Sequence, residues 1–309
     1  MSNVAANWLL LVLLAAYPVS VLALLGGQVD TDEGFSAVVV LTKQGAPHCS
    51  ATRIGPTALL TAAHCVANSR TGGVDDAFQT GRRLLVSQRT APQTPADFIE
   101  LTIERTVLHP AYQAALRRFF VYKQQQILDY QSRYAGDDLA QRIRLLEADS
   151  HFTSRFPDVA ILLVREVTDE IPVIDIDCEP LHAGETVQLV GYGYESLKHP
   201  TRARQAHPFG RRNWGTTQVI RVDPVNFYTY GGLMRAGMPS LSPGDSGGPV
   251  LRAGRVVGVH GTVYGLSHLD AARSNMSVNL SGLGAAQTDP HGDGCRQFFE
   301  LAGGRGGTS

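Results

Sequence analysis

Two short segments, far apart in the 309-residue chain, constrain its fold more than any other feature. They are Thr61-Ala62-Ala63-His64-Cys65 and Gly244-Asp245-Ser246-Gly247-Gly248-Pro249. A serine hydroxyl is a weak nucleophile at neutral pH and becomes reactive beside an imidazole that a carboxylate holds in place. Glycines around Ser246 let backbone N–H groups turn towards a developing oxyanion. The segments predict a fold that brings distant parts of the chain to one nucleophilic site; the alternative is an unrelated glycine turn and a core histidine.

Composition predicts a mostly β protein with no electrostatic affinity for nucleic acid. The formal net charge is −1 and the sequence pI is ≈ 6.8, which gives little attraction to a polyanion. The 32 glycines accompany short apolar runs that end at Gly, Pro or Asp, and helical periodicity is scarce. The length is sufficient for one large or two modest domains, each with its own core.

An uncharged apolar run spans residues 8–25, at the start of the chain. In this position such a run is typical of a secretory signal, and Val21-Leu22-Ala23 offers the small residues that a signal peptidase prefers. We therefore predict a signal peptide over residues 1–23 and a secreted or periplasmic protein. An uncleaved membrane anchor is the alternative, because the first seven residues contain no Lys or Arg.

The two segments resemble motifs of the trypsin/chymotrypsin-like serine proteases, in that family's order of histidine, aspartate and serine. The aspartate is best matched by Asp158, in Phe156-Pro157-Asp158-Val159-Ala160-Ile161-Leu162-Leu163. Asp175 and Asp177 are also near, but they lack the following Val-Ala-Ile-Leu pattern. The resemblance therefore favours His64, Asp158 and Ser246 as a catalytic triad.

The resemblance covers roughly residues 24–300 and implies an all-β fold of two packed antiparallel β-barrels. The first is expected over about 24–165 and the second over about 180–290, followed by a C-terminal helix. Residues 301–309 are glycine-rich and are expected to form a flexible tail.

The activity that the resemblance implies is that of a secreted serine endopeptidase working through an acyl-enzyme. Ser246 would be the nucleophile, His64 would take and return its proton, and Asp158 would orient the imidazole. The N–H groups of Gly244 and Ser246 would form the oxyanion hole. No cofactor or metal is expected, and the partners would be a protein or peptide substrate and a protein inhibitor, acting on a monomer. The alternatives are a catalytically silent binding protein of the same fold and a membrane-anchored protease.

Four cysteines in an exported chain predict two disulfides, and four reduced thiols are the alternative. The resemblance implies the pairs Cys49–Cys65, bracing the histidine loop, and Cys178–Cys295, pinning the C-terminal helix. In the family, a freed N-terminal ammonium pairs with the aspartate before the nucleophile. Cleavage after Ala23 would make Leu24 that terminus and Asp245 its partner.

The same resemblance indicates which residues would form the pocket that selects the substrate side chain, but it leaves the preferred side chain open. The base of the primary pocket would lie at Ser240, which lacks the carboxylate that attracts Lys or Arg. The pocket wall would include His260, Gly261 and Thr262. His260 falls at the position where glutamate-specific relatives have a histidine that faces an acidic side chain of the substrate. We therefore consider two alternatives: a preference for Glu or Asp in the substrate, and a histidine that only forms the pocket wall.

Two further segments depart from the family pattern. Residues 113–150, before the predicted aspartate, show helical spacing and predict an inserted helical hairpin. It is expected to act either as a lid or docking site beside the cleft, or as a neutral surface elaboration.

A later run contains several basic residues, expected to be solvated or to meet an anionic partner: Lys198, Arg202, Arg204, Arg211 and Arg212.

Overall fold

The computed structural model describes residues 24–148, 155–194, 210–232, 234–264, 274–284 and 294–301. The predicted signal peptide, residues 302–309 of the tail and the three basic residues up to Arg204 lie outside these ranges. The described residues form fifteen strands. In chain order these are β1 Gln28–Val29, β2 Val38–Lys43, β3 Ala46–Gly55, β4 Ala58–Thr61, β5 Ala67–Asn68, β6 Gly73–Val74, β7 Arg83–Ser87, β8 Ile99–Leu108, β9 Ala160–Val164, β10 Thr186–Gly191, β11 Asn213–Val222, β12 Asn226–Tyr230, β13 Pro249–Arg252, β14 Arg255–Tyr264 and β15 Ser274–Asn279.

Helices are fewer among the described residues, and two of them form the insertion. They are α1 Ala63–Val66, α2 Pro110–Arg133, α3 Gly136–Ala148 and α4 Gly294–Leu301, with 3-10 turns at Asp76–Phe78, Pro95–Asp97 and Leu280–Gly282. Of the helices within the described ranges, none combines the length and the apolar character needed to cross a bilayer.

Two closed antiparallel barrels make up most of the protein. The first closes in the order β2-β3-β4-β9-β8-β7, and the second in the order β11-β10-β13-β14-β15-β12, where β12 returns to pair with β11. Strand β1 adds to the outer edge of β11. The predicted all-β fold with two packed barrels is confirmed.

The strand sequences explain why the barrels close. Strands β2 and β9 are continuous apolar runs, Val38-Val39-Val40-Leu41 and Ala160-Ile161-Leu162-Leu163-Val164, and nearly every side chain in them is buried. An apolar run of this length without alternation is typical of a strand covered on both faces. Strand β9 pairs with β4 on one side and with β8 on the other, so it closes the first barrel directly after Asp158.

The predicted helical hairpin is present, and it begins slightly earlier than the sequence indicated. His109 caps α2 through its Nδ1, which accepts from the N–H of Ala111 at 3.3 Å, and Pro110 occupies the first helical position, where it costs no hydrogen bond. Tyr112 and Leu116 are buried against the first barrel, and the buried Lys123 donates to the carbonyl of Glu147 at 3.0 Å, which ties α2 to α3. The hairpin is therefore fixed to the barrel at its base.

Both predicted disulfides are present, Cys49–Cys65 and Cys178–Cys295. The first joins β3 to α1, beside His64. The second joins the segment between the barrels to α4, whose Phe298 and Phe299 pack into the large core of the first barrel. The prediction that this bridge pins the C-terminal helix is confirmed.

Replacing Cys178 and Cys295 together with Ser is expected to lower the free energy of unfolding by about 2–4 kcal/mol. The bridge spans a sequence separation of 117, so its loss frees a long loop in the unfolded chain. Urea unfolding of the purified variant measures the effect. An unfolding free energy equal to that of the unmodified protein would show that α4 is held by its apolar contacts alone.

One part of the basic run differs from the prediction of solvated charge. Arg212 is completely buried, and its Nε donates to Oδ2 of the equally buried Asp30 at 2.6 Å. The guanidinium also donates to the carbonyls of Val38 and Gln88 and to the Tyr192 hydroxyl. A buried cation needs such partners, and here they come from both barrels and from the segment after β1.

Candidate active site

His64 and Asp158 form a tightly bonded pair on the first barrel. Nδ1 of His64 lies 2.6 Å from Oδ2 of Asp158, and the backbone N–H of His64 donates to Oδ1 at 2.8 Å. The side chain of Asp158 is almost fully buried, whereas about a third of the His64 side chain (32%) is exposed. Both carboxylate oxygens thus fix one residue, and the opposite edge of the imidazole reaches the surface.

The electrostatics of this pair suit a proton acceptor. Burial alone would lower the pKa of His64, but the charge and the hydrogen bond of Asp158 outweigh it and raise the pKa above the usual 6.5. A raised pKa makes the imidazole a stronger base once it is neutral. It also stabilises the imidazolium that forms when a proton is accepted.

Ser246 is contributed by the loop that precedes β13 of the second barrel, and it is partly exposed. Its carbonyl accepts from the N–H of Ser50 at 2.8 Å and lies 3.7 Å from Sγ of Cys65. The same sulfur is 3.8 Å from Nε2 of His64, so the serine backbone and the imidazole edge lie beside one disulfide. The Ser246 hydroxyl donates to the carbonyl of Gly261 at 3.4 Å. The structure therefore brings the three predicted triad residues to one place.

The backbone around Ser246 leaves two N–H groups without an acceptor. The N–H groups of Asp245, Gly247 and Gly248 all donate to backbone carbonyls. Among the residues that the structure describes, no acceptor faces the N–H of Gly244 or of Ser246. Gly244 has φ +103°, and a Cβ there would lie 2.9 Å from the carbonyl oxygen of Tyr192, so only glycine fits. A role of the Gly244 and Ser246 N–H groups in binding an oxyanion stays a prediction.

Asp245 is a completely buried carboxylate without a cationic partner in the described part of the chain. Gly193 donates to Oδ1 at 2.7 Å, while the N–H and hydroxyl of Ser242 donate to Oδ2. Burial raises the pKa of Asp245 to about 7, and these hydrogen bonds oppose the rise only in part. Leu24 is also completely buried, in the core of the second barrel, and its neighbour Leu25 pairs with Ser240. The residue after the predicted new N-terminus therefore lies beside Ser240, five residues before Asp245 in the chain.

The proposed pocket base at Ser240 is a rigid, neutral structure. Ser240 is buried, and its hydroxyl accepts from the N–H of Gly232 at 2.7 Å. On either side of it, the amide of Asn275 accepts from the N–H of Leu241 at 2.8 Å and donates to the carbonyl of Pro239 at 2.9 Å. Asn275 was missed by the sequence reasoning, since its strand, Ser274–Asn279, contains several polar residues and the sequence does not show which partner each one meets. Because Ser240 and Asn275 are uncharged, this segment offers no carboxylate to a basic side chain.

The predicted wall residues differ in their access to solvent. Thr262 is exposed, whereas Gly261 is buried and its carbonyl accepts from the Ser246 hydroxyl. His260 is completely buried, and Nδ1 lies 3.3 Å from the Ser277 hydroxyl. Burial lowers the pKa of His260 to about 3, although the Val190 carbonyl opposes the effect. His260 is therefore neutral at ordinary pH, and an acidic preference stays a prediction.

The helical hairpin lies beside the His64–Asp158 pair. The Arg118 guanidinium sits 5.9 Å from the ring centre of Phe156, two residues before Asp158. A Cβ on Gly72, in the loop after His64, would lie 3.0 Å from Cβ of Phe120. The hairpin thus contacts both segments that carry the pair. Its exposed apolar side chains are Val121, Tyr122, Leu128 and Leu145.

Two closed barrels, with a histidine–aspartate pair on one and a glycine-flanked serine on the other, define the fold of a serine protease. The family model for trypsin matches residues 24–272, most of the chain, and the chain therefore belongs to the trypsin family. No curated protein matches the chain. Trypsin-like proteases act on protein or peptide substrates, and the two disulfides are typical of extracellular members.

Proposed function

We propose that this protein is an exported serine endopeptidase that cleaves peptide bonds through an acyl-enzyme. The observation that carries the proposal is the His64–Asp158 pair beside the Ser246 loop, where the N–H groups of Gly244 and Ser246 meet no acceptor among the described residues. A catalytically silent relative has no need to keep a polarised imidazole and two such donors around a partly exposed serine. Such unpaired groups cost free energy unless a ligand or a transition state uses them.

The proposed reaction has two stages. In the first, the Ser246 hydroxyl exchanges its hydrogen bond with Gly261 for one to Nε2 of His64. Its oxygen attacks the carbonyl carbon, its proton passes to the imidazole, and the N–H groups of Gly244 and Ser246 stabilise the oxyanion. His64 then gives the proton to the leaving amine, and a water molecule releases the acyl group by the same steps in reverse order.

Labelling with a fluorophosphonate probe, followed by cleavage of a peptide library, tests this function. The protein is expected to react covalently at Ser246 and to cut peptides, and Ser246→Ala is the matched control because it removes one oxygen atom. Absence of labelling in a folded protein that starts at Leu24 would favour the silent binding protein. The residue preferred before the cut then tests the neutral pocket base and the role of His260.

We also propose that export activates the protein, because removal of residues 1–23 would free the amine of the buried Leu24, and Asp245 has no cationic partner among the described residues. An ammonium there would supply the cation that the buried carboxylate lacks. N-terminal sequencing of the secreted protein is expected to begin at Leu24, where the family match also begins. Another terminus would refute this route of activation and leave the triad proposal intact.

The pH dependence of stability is expected to separate the blocked form from the activated one. With Leu24 blocked, Asp245 has a folded pKa of about 7, above the value of about 3.9 in an unfolded chain. The unfolded carboxyl therefore ionises first, and the blocked form loses stability as pH rises from about 4 to 7. A free Leu24 ammonium would lower the folded pKa and remove this loss. Melting temperatures of proteins starting at Leu24 and at Val21 measure the difference, and Asp245→Asn should abolish it; equal profiles would contradict the pairing.

A further inference from the structure

Ser50 joins the first barrel to the loop that carries Ser246. It lies on β3, beside Cys49, and is completely buried. Its N–H donates to the carbonyl of Ser246 at 2.8 Å, and its hydroxyl donates to the carbonyl of Gly244 at 2.9 Å. The same hydroxyl accepts from the N–H of Tyr192 at 3.0 Å. Two of these three bonds thus reach the residues on either side of Asp245.

The bond from Ser50 to Gly244 acts on the conformation of an unusual residue. Gly244 has φ +103°, and its N–H faces no acceptor among the described residues. The N–H and the carbonyl of Gly244 belong to the two peptide planes that flank its Cα, and their relative direction depends on the torsion angles of Gly244. The Ser50 hydroxyl holds the carbonyl and so fixes the plane of the peptide between Gly244 and Asp245. Without the hydroxyl, the buried carbonyl would lose its partner, and the plane would be free to rotate towards another.

The close approach of the two barrels at this point is enforced by shape. A Cβ on Gly247 would collide with the carbonyl oxygen of Ser50 and the hydroxyl of Thr61. Thr61 in turn donates to that same carbonyl at 2.8 Å. Every polar atom of Ser50 is therefore bonded, and no side chain separates it from the loop.

We propose that Ser50 is a positioning residue for the oxyanion site, acting from the first barrel through the Gly244 carbonyl. The inference rests on the proposed protease function. It assigns to Ser50 a share of transition-state stabilisation and none of substrate binding, because Ser50 is completely buried and its side-chain hydrogen bonds go to the backbone of Gly244 and Tyr192.

Steady-state kinetics of Ser50→Ala test the proposal. We expect kcat to fall about tenfold to a hundredfold, the range for a buried polar group left without its partner, with KM unchanged. A peptide aldehyde forms a tetrahedral adduct when the serine oxygen adds to its carbonyl carbon. The affinity for such an aldehyde should fall by a similar factor. Active-site titration gives the concentration of enzyme molecules that can react, and kcat is calculated per such molecule. A smaller folded fraction in the variant therefore does not lower the measured kcat. Ser50→Gly serves as a second hydroxyl-free variant if Ser50→Ala expresses poorly.

Thr52 provides a matched control on the same strand. It is also completely buried, but its hydroxyl has no hydrogen-bond partner among the described residues. Thr52→Ala should therefore leave kcat and aldehyde affinity unchanged, whereas Ser50→Thr, which keeps the hydroxyl, should recover most of the loss. Equal kcat values for Ser50→Ala and Thr52→Ala would overturn the proposal, and so would an increase in KM that accounts for the whole effect.

A measurement that needs no activity separates this inference from the proposed function. In a Ser246→Ala background with ¹⁵N-labelled glycine, Ser50→Ala should shift the Gly244 amide resonance, and Thr52→Ala should not. An unchanged resonance would refute the positioning role even in an active enzyme. A shifted resonance in a protein that never labels with a fluorophosphonate would support the contact and refute the protease.

Discussion

Replacing His64 with Ala is expected to lower kcat by about a millionfold, the effect seen when a triad loses its base. The imidazole is both the acceptor of the Ser246 proton and its donor to the leaving amine, so neither stage proceeds without it. Its ring is hydrogen-bonded to Asp158 and about a third of its side chain is exposed, so the truncation should leave the fold intact. Turnover of the best library peptide, with circular dichroism as the check on folding, measures the loss.

Asp158→Asn gives a smaller and more diagnostic effect. We expect kcat to fall by about ten-thousandfold, because an amide holds the imidazole in the wrong tautomer. The Asp158 charge raises the pKa of His64, and a general base must be neutral. The acid limb of the kcat/KM profile should therefore lie above pH 6.5 in the unmodified protein and move to lower pH in Asp158→Asn. A limb that stays in place would assign that titration to another group.

Asp175 and Asp177 supply the control for this assignment. Both lie near Asp158 in sequence, but Asp177 is engaged by Arg252 at 3.0 Å, and Asp175 contributes its backbone carbonyl to the N–H of Val256. Asp175→Asn should therefore retain nearly full turnover. Comparable losses in Asp175→Asn and Asp158→Asn would contradict the triad proposed here.

The architecture could be predicted from the sequence because local signals and the motif order agree. The apolar run after Asp158 becomes β9, the helical spacing over residues 113–150 becomes α2 and α3, and both cysteine pairs are bonded. These features depend on periodicity, on capping residues or on a family pattern. The strand and the helices are readable within a short window of the chain, whereas the cysteine pairing, with a separation of 117 for Cys178–Cys295, follows from the family pattern.

Buried polar contacts between distant segments could not be predicted in the same way. Ser50 and Gly244 are far apart in the chain, and nothing around Ser50 distinguishes its hydroxyl from that of Thr52, which has no partner. Asn275 likewise stands in a strand that also contains Asn279 and two serines, so its sequence does not single out the residue beside Ser240. Arg212 belongs to a basic run that was expected to be solvated or to meet an anionic partner, yet folding buries it against Asp30 of the same chain. In each case the partner is chosen by barrel packing and not by neighbouring residues.

The Arg212–Asp30 pair carries the largest stability effect that we expect from a single side chain. Asp30→Asn should lower the free energy of unfolding by about 3–5 kcal/mol, because it leaves the completely buried guanidinium without its charge partner. Asp32→Asn is the matched control: it changes an exposed carboxylate two residues away and should alter stability by less than about 0.5 kcal/mol. Urea unfolding of both variants, with equal slopes as the check on cooperativity, gives the comparison.

A double variant decides whether the buried charge itself causes the loss. Arg212→Met alone removes the cation but leaves Asp30 and the Val38 carbonyl short of donors, so it should also destabilise strongly. Combined with Asp30→Asn, it should destabilise by about 1–3 kcal/mol less than the sum of the single changes, since no unpaired charge remains. Strict additivity would show that the two side chains act independently. Coupling would show that the loss in each single variant comes from the partner charge that it leaves buried.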